Sequence, residues 1–477
     1  MMRRMTPVAA SVLLALLAGC SLMPAYQTPA SPVAAQWPAG PAYQQLRAAT
    51  RSEGELPGWP QFFTDARLQQ LIRVALAENR DLRVATLNVE AARAQYQIQS
   101  SAQWPTLTLA GSGTAKRTSA NAGNGKAVIS HSDSLSVGIS SYELDLFGRV
   151  ASLKEQALQS YLAEEATQHS ARLTLVAEVA SAYLTLQADQ QRLALAGKTL
   201  ATQQASYQLT ERMLAAGAAT RQDLYAASSA VQSANIDVAS YTAQVAQDRN
   251  ALALLLGGQL PEDALQPQAL ADMTPLAEVP AGLPSALLQR RPDIVASEHA
   301  LQAANANIGA ARAKFFPSIS LTANAGLASS NLSGLFKAGA GAWQFSPSVS
   351  LPLLDGGSLQ AGVDSARVAY QSAVASYDKT VQTAFREVAD ALAVRGTMRS
   401  QLAAQQALVD SSRQTFAQVE ARFKAGADSY LTVLTAQRSL YAAEQALISL
   451  QLSDANNRIT LYKVLGGGWQ PDATTGS

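Results

Sequence analysis

The residue best placed for covalent chemistry is Cys20, the only cysteine in the 477-residue chain. It follows Leu17-Ala18-Gly19 and precedes Ser21. Arg3 and Arg4 give the preceding stretch a positive start, and Val12 to Leu17 supply a short apolar core. A core this short is a signal peptide rather than a membrane span. Leu-Ala-Gly-Cys is the bacterial lipobox, in which Cys20 is acylated and becomes the mature N-terminus. A plain signal peptide that happens to hold a cysteine is the simpler alternative, but here the one cysteine stands at the cleavage point. An Asp after the acylated cysteine commonly retains a lipoprotein in the inner membrane, and Ser21 fits the outer membrane instead.

No other residues form a set that could catalyse a reaction. His131, His169 and His299 are scattered and lack metal-ligand spacing, which favours solvated polar positions. Gly356-Gly357 and Gly466-Gly467-Gly468 lack the Lys-Ser/Thr of a phosphate loop. Arg290-Arg291-Pro292 is too short for a nucleic-acid patch, and a net charge of +1 with 15% charged residues gives no electrostatic footprint for one. No enzyme activity, cofactor or metal is expected. With no second cysteine there is no disulfide, so packing must hold the fold together. After the signal no run approaches eighteen apolar residues, so no transmembrane helix is expected.

The chain repeats itself. Asp81 through Pro105 lies on Asp293 through Pro317 at a constant offset of 212, with Ala91-Ala92 on Ala303-Ala304 and Trp104-Pro105 on Phe316-Pro317. Farther on the offset is 209: Glu178-Val179-Ala180 matches Glu387-Val388-Ala389, and Leu256-Gly257-Gly258 matches Leu465-Gly466-Gly467. The chain reads as two copies of one unit.

Proline marks the elements of each copy. None occurs from 106 to 260 or from 353 to 470, and proline is excluded from helix interiors because it lacks the N–H and clashes with the preceding turn. Stretches rich in Ala, Leu, Gln, Glu and Arg run from about Ala151 to Ala215 and from about Leu359 to Lys424. As helices each would be on the order of 100 Å long. A helix of that length needs partners along its whole course, as in a coiled coil or helical barrel. Each ends at Ala-Gly-Ala, Ala216-Gly217-Ala218 and Ala425-Gly426-Ala427, where glycine suits a left-handed C-cap. A second helix follows at once, about Asp223 to Leu256 and about Ser429 to Leu465; opening helices are expected over about Asp65 to Ala102 and Pro284 to Ala313.

Between the opening and the long helices apolar and polar residues alternate. Leu107 and Leu109 alternate with Thr106 and Thr108, and Leu135, Val137 and Ile139 with Ser134, Ser136 and Ser140. Ile319, Leu321, Ala323 and Ala325 alternate with Ser318, Ser320, Thr322 and Asn324, and Phe345, Val349, Leu351 and Leu353 with Gln344, Ser346, Ser348 and Ser350. Strands with one apolar face and one of uncharged Ser, Thr and Asn are the signature of an outer-membrane barrel; a half-exposed soluble sheet is the alternative. Residues 120–124 and 329–341 fall between paired strands and read as surface loops. Four strands cannot close a barrel, and an open edge is not tolerated in lipid. Two copies would make an eight-stranded barrel filled by its own side chains, so three or more are required for a channel.

The residues also match a known family. The chain resembles the outer-membrane factors of tripartite efflux pumps, the TolC-like proteins, most closely their lipidated OprM-like branch. The likeness is carried by Leu17-Ala18-Gly19-Cys20-Ser21-Leu22, Asn79-Arg80-Asp81-Leu82-Arg83 and Glu143-Leu144-Asp145-Leu146-Phe147-Gly148-Arg149. It continues through Val279-Pro280-Ala281-Gly282-Leu283-Pro284, Leu288-Gln289-Arg290-Arg291-Pro292-Asp293-Ile294, Ala313-Lys314-Phe315-Phe316-Pro317-Ser318-Ile319 and Leu465-Gly466-Gly467-Gly468-Trp469, and so covers essentially the whole chain.

The resemblance implies an α+β membrane protein, a homotrimer whose twelve-stranded β-barrel continues into a long coiled-coil α-helical barrel in the periplasm. It implies outer-membrane lipid around the barrel, no nucleic acid, and two further partners: a periplasmic adaptor and an inner-membrane pump of the RND type. The expected layout is a signal peptide over 1–19 and a lipidated segment over 20–64. Repeat 1 spans 65–256, with a hairpin at 105–146 and a tip at 215–221. An equatorial linker covers 257–283. Repeat 2 spans 284–465, with a hairpin at 317–355 and a tip at 424–430, and 466–477 return to the equatorial belt. The tips, Ala216-Gly217-Ala218 and Ala425-Gly426-Ala427, are expected to meet the adaptor. Relatives close the periplasmic end with polar links and acidic rings just past the tips, which makes Asp223, Asp428, Leu431 and Thr435 the gate candidates. Relatives often place an acid where Thr435 stands, and helix capping accounts for Asp223 and Asp428 equally well. Two functions fit this fold: a passive exit channel for drugs, solvents or metals, and the duct of a type I secretion system exporting a polypeptide. A periplasmic coiled-coil spacer is a third reading, against which the four alternating strands count.

Overall fold

In the computed structural model the described residues are 21–34, 36–43, 56–121, 125–270 and 290–468. Cys20 lies outside them, as do 122–124 of the first hairpin loop, the linker from 271 to 283 and the first residues of the expected helix at Pro284. The long stretches rich in Ala, Leu, Gln, Glu and Arg are helical: α4 (Arg149–Ala215) and α7 (Ser358–Lys424) are each 67 residues long. Each is followed by a shorter helix, α5 (Arg221–Leu256) and α8 (Tyr430–Val464). Before them come α1 (Trp59–Phe62), α2 (Ala66–Glu78), α3 (Arg80–Ser101) and, in the second half, α6 (Pro292–Ala313). Four strands, β1 (Leu107–Thr118), β2 (Val128–Leu144), β3 (Ser318–Ser329) and β4 (Gly341–Ser350), form one antiparallel sheet in the order β1-β2-β3-β4. Among the described residues no helix is long and apolar enough to cross a membrane.

The chain divides into two compact units. One holds the sheet with residues 88–164, 296–377 and the N-terminal stretch to Ala30; the other holds 31–87, 165–295 and 378–477.

In the helical unit the expected single helix from Asp65 to Ala102 is two. Asn79 adopts extended backbone (φ −61°, ψ 130°) between α2 and α3. Its Oδ1 accepts from Leu82 N (2.8 Å), starting α3, and its Nδ2 donates to Leu255 O (2.9 Å) in the last turn of α5. The break is therefore stabilised from both sides. Gly257 caps α5 in the left-handed region (φ 73°), and a side chain there would strike the Glu78 carbonyl. The second half answers with a stronger device. Arg291, 8% exposed, donates to Val464 O (2.8 Å) and pairs with Asp293 (2.7 Å) and Glu387 (2.9 Å), tying α6, α7 and α8 together. Nearby, Tyr462 stacks on Phe62 with ring centroids 4.0 Å apart, over a core that includes Leu68, Leu71, Ile72 and Leu256.

In the sheet unit Glu143–Arg149 forms the corner between β2 and α4. Arg149 makes a two-pronged pair with Glu143, while Asp145 accepts from the N–H groups of Val150 (3.0 Å) and Ala151 (2.7 Å) and so caps α4. Phe147 stacks on Phe316 (4.8 Å), and Gly148 supplies a positive φ of 71°. His299, expected to be solvated, is half-buried with Nδ1 2.7 Å from Gln159 Oε1.

Candidate functional site

Residues opposite one another in an antiparallel pair share a face, so the register fixes what each side of the sheet presents. One face carries Leu107 opposite Ile139, Leu109 opposite Val137, and Leu135 opposite Leu327. It continues over Ala325 opposite Trp343, Ala323 opposite Phe345, and Ile319 opposite Val349. The other face is polar and small: Thr108 with Gly138, Ser112 with Ser134, Ser320 with Ser348, Thr322 with Ser346, and Asn324 with Gln344. The apolar face is solvent-exposed in the single chain; Trp343 is 79% and Leu109 72% exposed. The outer edges of β1 and β4 have no partner strand among the described residues.

A bulge in β2 keeps the faces pure. Ile139 stands opposite Ala323 and Tyr142 opposite Leu321, so Ser140 and Ser141 together face Thr322. Ser141 takes a positive φ of 52°, and its N–H donates to Thr322 Oγ1 (3.2 Å). Tyr142 and Leu144 thereby remain on the apolar face and Glu143 on the polar one. Sequence alternation alone missed this device, although the parity change from Ile139 to Tyr142 signals it. Gly138 and Gly326 lie on the polar face of the central β2–β3 pair. A Cβ on Gly326 would enter the Leu135 carbonyl, and one on Gly138 the Ala323 carbonyl.

The two Ala-Gly-Ala turns are built alike. Gly217 and Gly426 both have φ of 75°. Ala218 N donates to Met213 O (2.8 Å) and Ala427 N to Arg422 O (2.9 Å), closing each helix with a Schellman-type bond. Ala216 and Ala425 complete the last turns. Beneath the turns Tyr430 packs with Ala227, Ala230 and Leu434, flanked by Tyr207 and Phe423. This brace joins both helix pairs, and Phe423 and Tyr430 were not singled out from sequence. Burial pushes the Tyr430 phenol up from its ordinary value.

The gate candidates are placed as follows. Asp223 closes a capping box on α5: its N–H donates to Thr220 Oγ1 (3.1 Å), and its Oδ2 accepts from Thr220 N (2.9 Å) and Thr220 Oγ1 (2.6 Å). Those bonds hold its carboxyl below the usual carboxylate range. Asp428 is gripped by Arg422 at 2.8 and 3.4 Å. Leu431 is 64% exposed, and Thr435 Oγ1 donates back to Leu431 O (2.9 Å). Leu431 and Thr435 share an open groove of about 590 Å³ with Ser411, Thr415 and Val419 of α7.

The N-terminal segment from Leu22 to Thr28 is a strap along α6. Thr28 and Tyr26 bond Glu298, Pro24 O accepts from Asn305 (2.9 Å), and Leu22 O accepts from Arg312 (3.4 Å). The strap thus runs antiparallel to α6, from Arg312 beside Leu22 to Glu298 beside Thr28. Met23 lies against Gly309, where a Cβ would sit 2.8 Å from Met23 Cα and 2.6 Å from Ser152 Oγ. Gly309→Val is expected to lift the strap, read as at least roughly tenfold faster proteolysis between residues 21 and 30.

A family model described as outer membrane efflux protein matches residues 71–258 and 283–467. The chain is 51% identical over 455 residues, 95% of its length and 94% of the relative's, to the toluene efflux pump outer membrane protein TtgC of Pseudomonas putida. It is equally similar, with the same coverage, to the antibiotic efflux pump outer membrane protein ArpC of Pseudomonas putida. Its fold matches the open-state MtrE outer membrane channel of Neisseria gonorrhoeae with a TM-score of 0.84 and 38% identity, over 96% of this chain and all of that one.

Proposed function

The chain belongs to the outer membrane efflux protein family, and from that premise we propose that it is the passive exit channel of a tripartite efflux pump. Three copies join their sheets edge to edge into a twelve-stranded barrel, continued in the periplasm by a helical tunnel built from α3 to α8. The observation that carries this reading is the sheet itself: a polar face of Ser, Thr, Asn and Gly, an apolar face fit for lipid, and two unpaired edges. The polar wall has no catalytic set and conducts rather than selects. Substrates are small toxic compounds, drugs and organic solvents, in keeping with relatives named for toluene and antibiotic efflux. Acylated Cys20 anchors the chain to the membrane, in keeping with the lipobox Leu17-Ala18-Gly19-Cys20. The halves stem from duplication, in support of which Asn79 and Arg291 bond the equivalent carbonyls of Leu255 and Val464. The linker after Leu256 and the C-terminal segment form the belt; Gly468 already packs against the Leu56 and Pro57 carbonyls.

The turns at Gly217 and Gly426 are the contacts for a periplasmic adaptor, which links the channel to an inner-membrane RND pump. Asp223, Asp428, Leu431 and Thr435 line the closed end, each repeated three times in the trimer. Deleting the gene is expected to raise susceptibility across a panel of antibiotics and solvents, and the purified protein to make ion-conducting pores in a planar bilayer. A silent bilayer would overturn the channel reading in favour of a periplasmic spacer.

Gating is tested separately. Asp223→Ala removes the acid of the capping box and leaves Thr220 to cap α5 alone, at a cost of about 1 kcal/mol, whereas Asp223→Asn removes the charge and keeps an acceptor. The Asp223→Ala/Asp428→Ala double variant is expected to raise resting conductance. Unchanged conductance would remove both acids from the gate, and a rise with Asp223→Asn alone would assign the effect to charge.

A further inference from the structure

The outer end of the first hairpin departs from the apolar pattern. On the apolar face the last paired apolar level is Leu135 opposite Leu327; beyond it stand Asp133 opposite Gly113, His131 opposite Ala115, and Arg117 opposite Ile129. On β3 the apolar levels run from Ile319 at the helix end to Leu327. At about 3.3 Å per residue and a tilt of about 40° this rise is roughly 20 Å, close to the height of the apolar band of an outer-membrane barrel. Arg117 and His131 therefore stand just beyond the band's outer rim, on the side away from the helices. His131 is the diagonal neighbour of Arg117 on the same face, within reach of long side chains. Both are exposed, and Arg117 pairs with no acid among the described residues. Ile129, 63% exposed, lies beside Arg117 and offers apolar contact at the same level. Asp133 folds over Gly113, one step nearer the apolar band. The second hairpin has no such pair; its outer end carries exposed Phe336 and Trp343.

A cation at this height on a lipid-facing surface meets one leaflet, the outer one, whose characteristic lipid is a phosphorylated glycolipid. Guanidinium binds phosphate through two parallel hydrogen bonds, and an imidazole adds a third donor. We propose that Arg117 and His131, with Ile129 beside them, seat the glucosamine phosphates of the lipid A portion of lipopolysaccharide, one site per chain around the barrel. This rests on the barrel reading above.

The test uses full-length protein extracted from outer membranes in mild detergent and then stripped of lipid. Binding of purified lipid A is followed by native mass spectrometry, beside enzymatically dephosphorylated lipid A, phosphatidylglycerol and inorganic phosphate. Lipid A is expected to bind wild type at least about tenfold more tightly than its dephosphorylated form or phosphatidylglycerol. The Arg117→Ala/His131→Ala variant is expected to lose about that factor. Equal binding of the dephosphorylated lipid overturns the proposal on wild type alone. So does undiminished binding by the variant, or displacement by millimolar inorganic phosphate, which would mark simple anion attraction. Planar-bilayer conductance of the same samples keeps the two readings apart: pores without lipid A binding sink the lipid site and leave the channel standing.

Discussion

Gly326→Val is expected to abolish folded trimer in the outer membrane and to leave cells as susceptible to antibiotics and solvents as a deletion strain. Any Cβ at Gly326 enters the Leu135 carbonyl and the backbone of Ser136, which are themselves fixed in the ladder of the central β2–β3 pair. No rotamer relieves a collision with backbone, so the two strands must separate, and with them the two hairpins. The cost is above ~3 kcal/mol, beyond ordinary overpacking. Gly138→Val should behave alike, since its Cβ meets Ala323 O and Asn324. Gly111→Ala is the control within the same sheet: its Cβ would have Leu135 Cδ1 at 3.7 Å, an ordinary contact, and assembly should be unchanged. The readout is heat-modifiable trimer on a semi-native gel, paired with the susceptibility panel. Normal trimer with Gly326→Val would show that the central strands are not held at this spacing.

The second large effect is expected at Arg291. Replacing it by Ala strips two acids of a buried partner and leaves the Val464 carbonyl unbonded. Hydrogen bonds to charged groups contribute about 1.5–3 kcal/mol, so a loss of about 3 kcal/mol overall is expected, with a fall in Tm of roughly 3 °C in detergent. Asp293 and Glu387 are partly exposed and regain water, which keeps the loss from being larger. Arg291→Asn imitates the first half, where Asn79 serves the Leu255 carbonyl alone. It should recover part of the loss, because the carbonyl bond returns and the ion pairs do not. An Asn variant no better than Ala would show that the ion pairs carry the whole effect.

Much of this architecture was legible in the residues. Runs rich in Ala, Leu, Gln, Glu and Arg without proline, closed by Gly217 and Gly426, placed α4, α5, α7 and α8 to within a few positions. Strand alternation placed all four strands, and Gly217 and Gly426 marked the turns. What escaped was set by partners distant in sequence. Asn79 is a residue type that starts helices, and its Oδ1 does cap α3 at Leu82 N; the second hold on the break, the Leu255 carbonyl 176 residues away, has no local signal. The bulge at Ser140 and Ser141 was visible only as a change of parity, which a search for uninterrupted alternation passes over. Asp223, an acid position by family resemblance with helix capping as the equal alternative, bonds Thr220 three residues back in a capping box. Phe423 and Tyr430 read as ordinary helix residues until the two turns are seen to share them.

The unpaired edges of β1 and β4 have a consequence for inheritance. If each barrel takes its strands from three chains, a chain that folds its own sheet but carries a spoiled edge still enters assemblies beside normal ones. With equal expression and random mixing, roughly one trimer in eight would contain normal chains alone. An edge-blocking allele should therefore be dominant over the normal gene, whereas an allele that never folds, such as Gly326→Val, should be recessive to it.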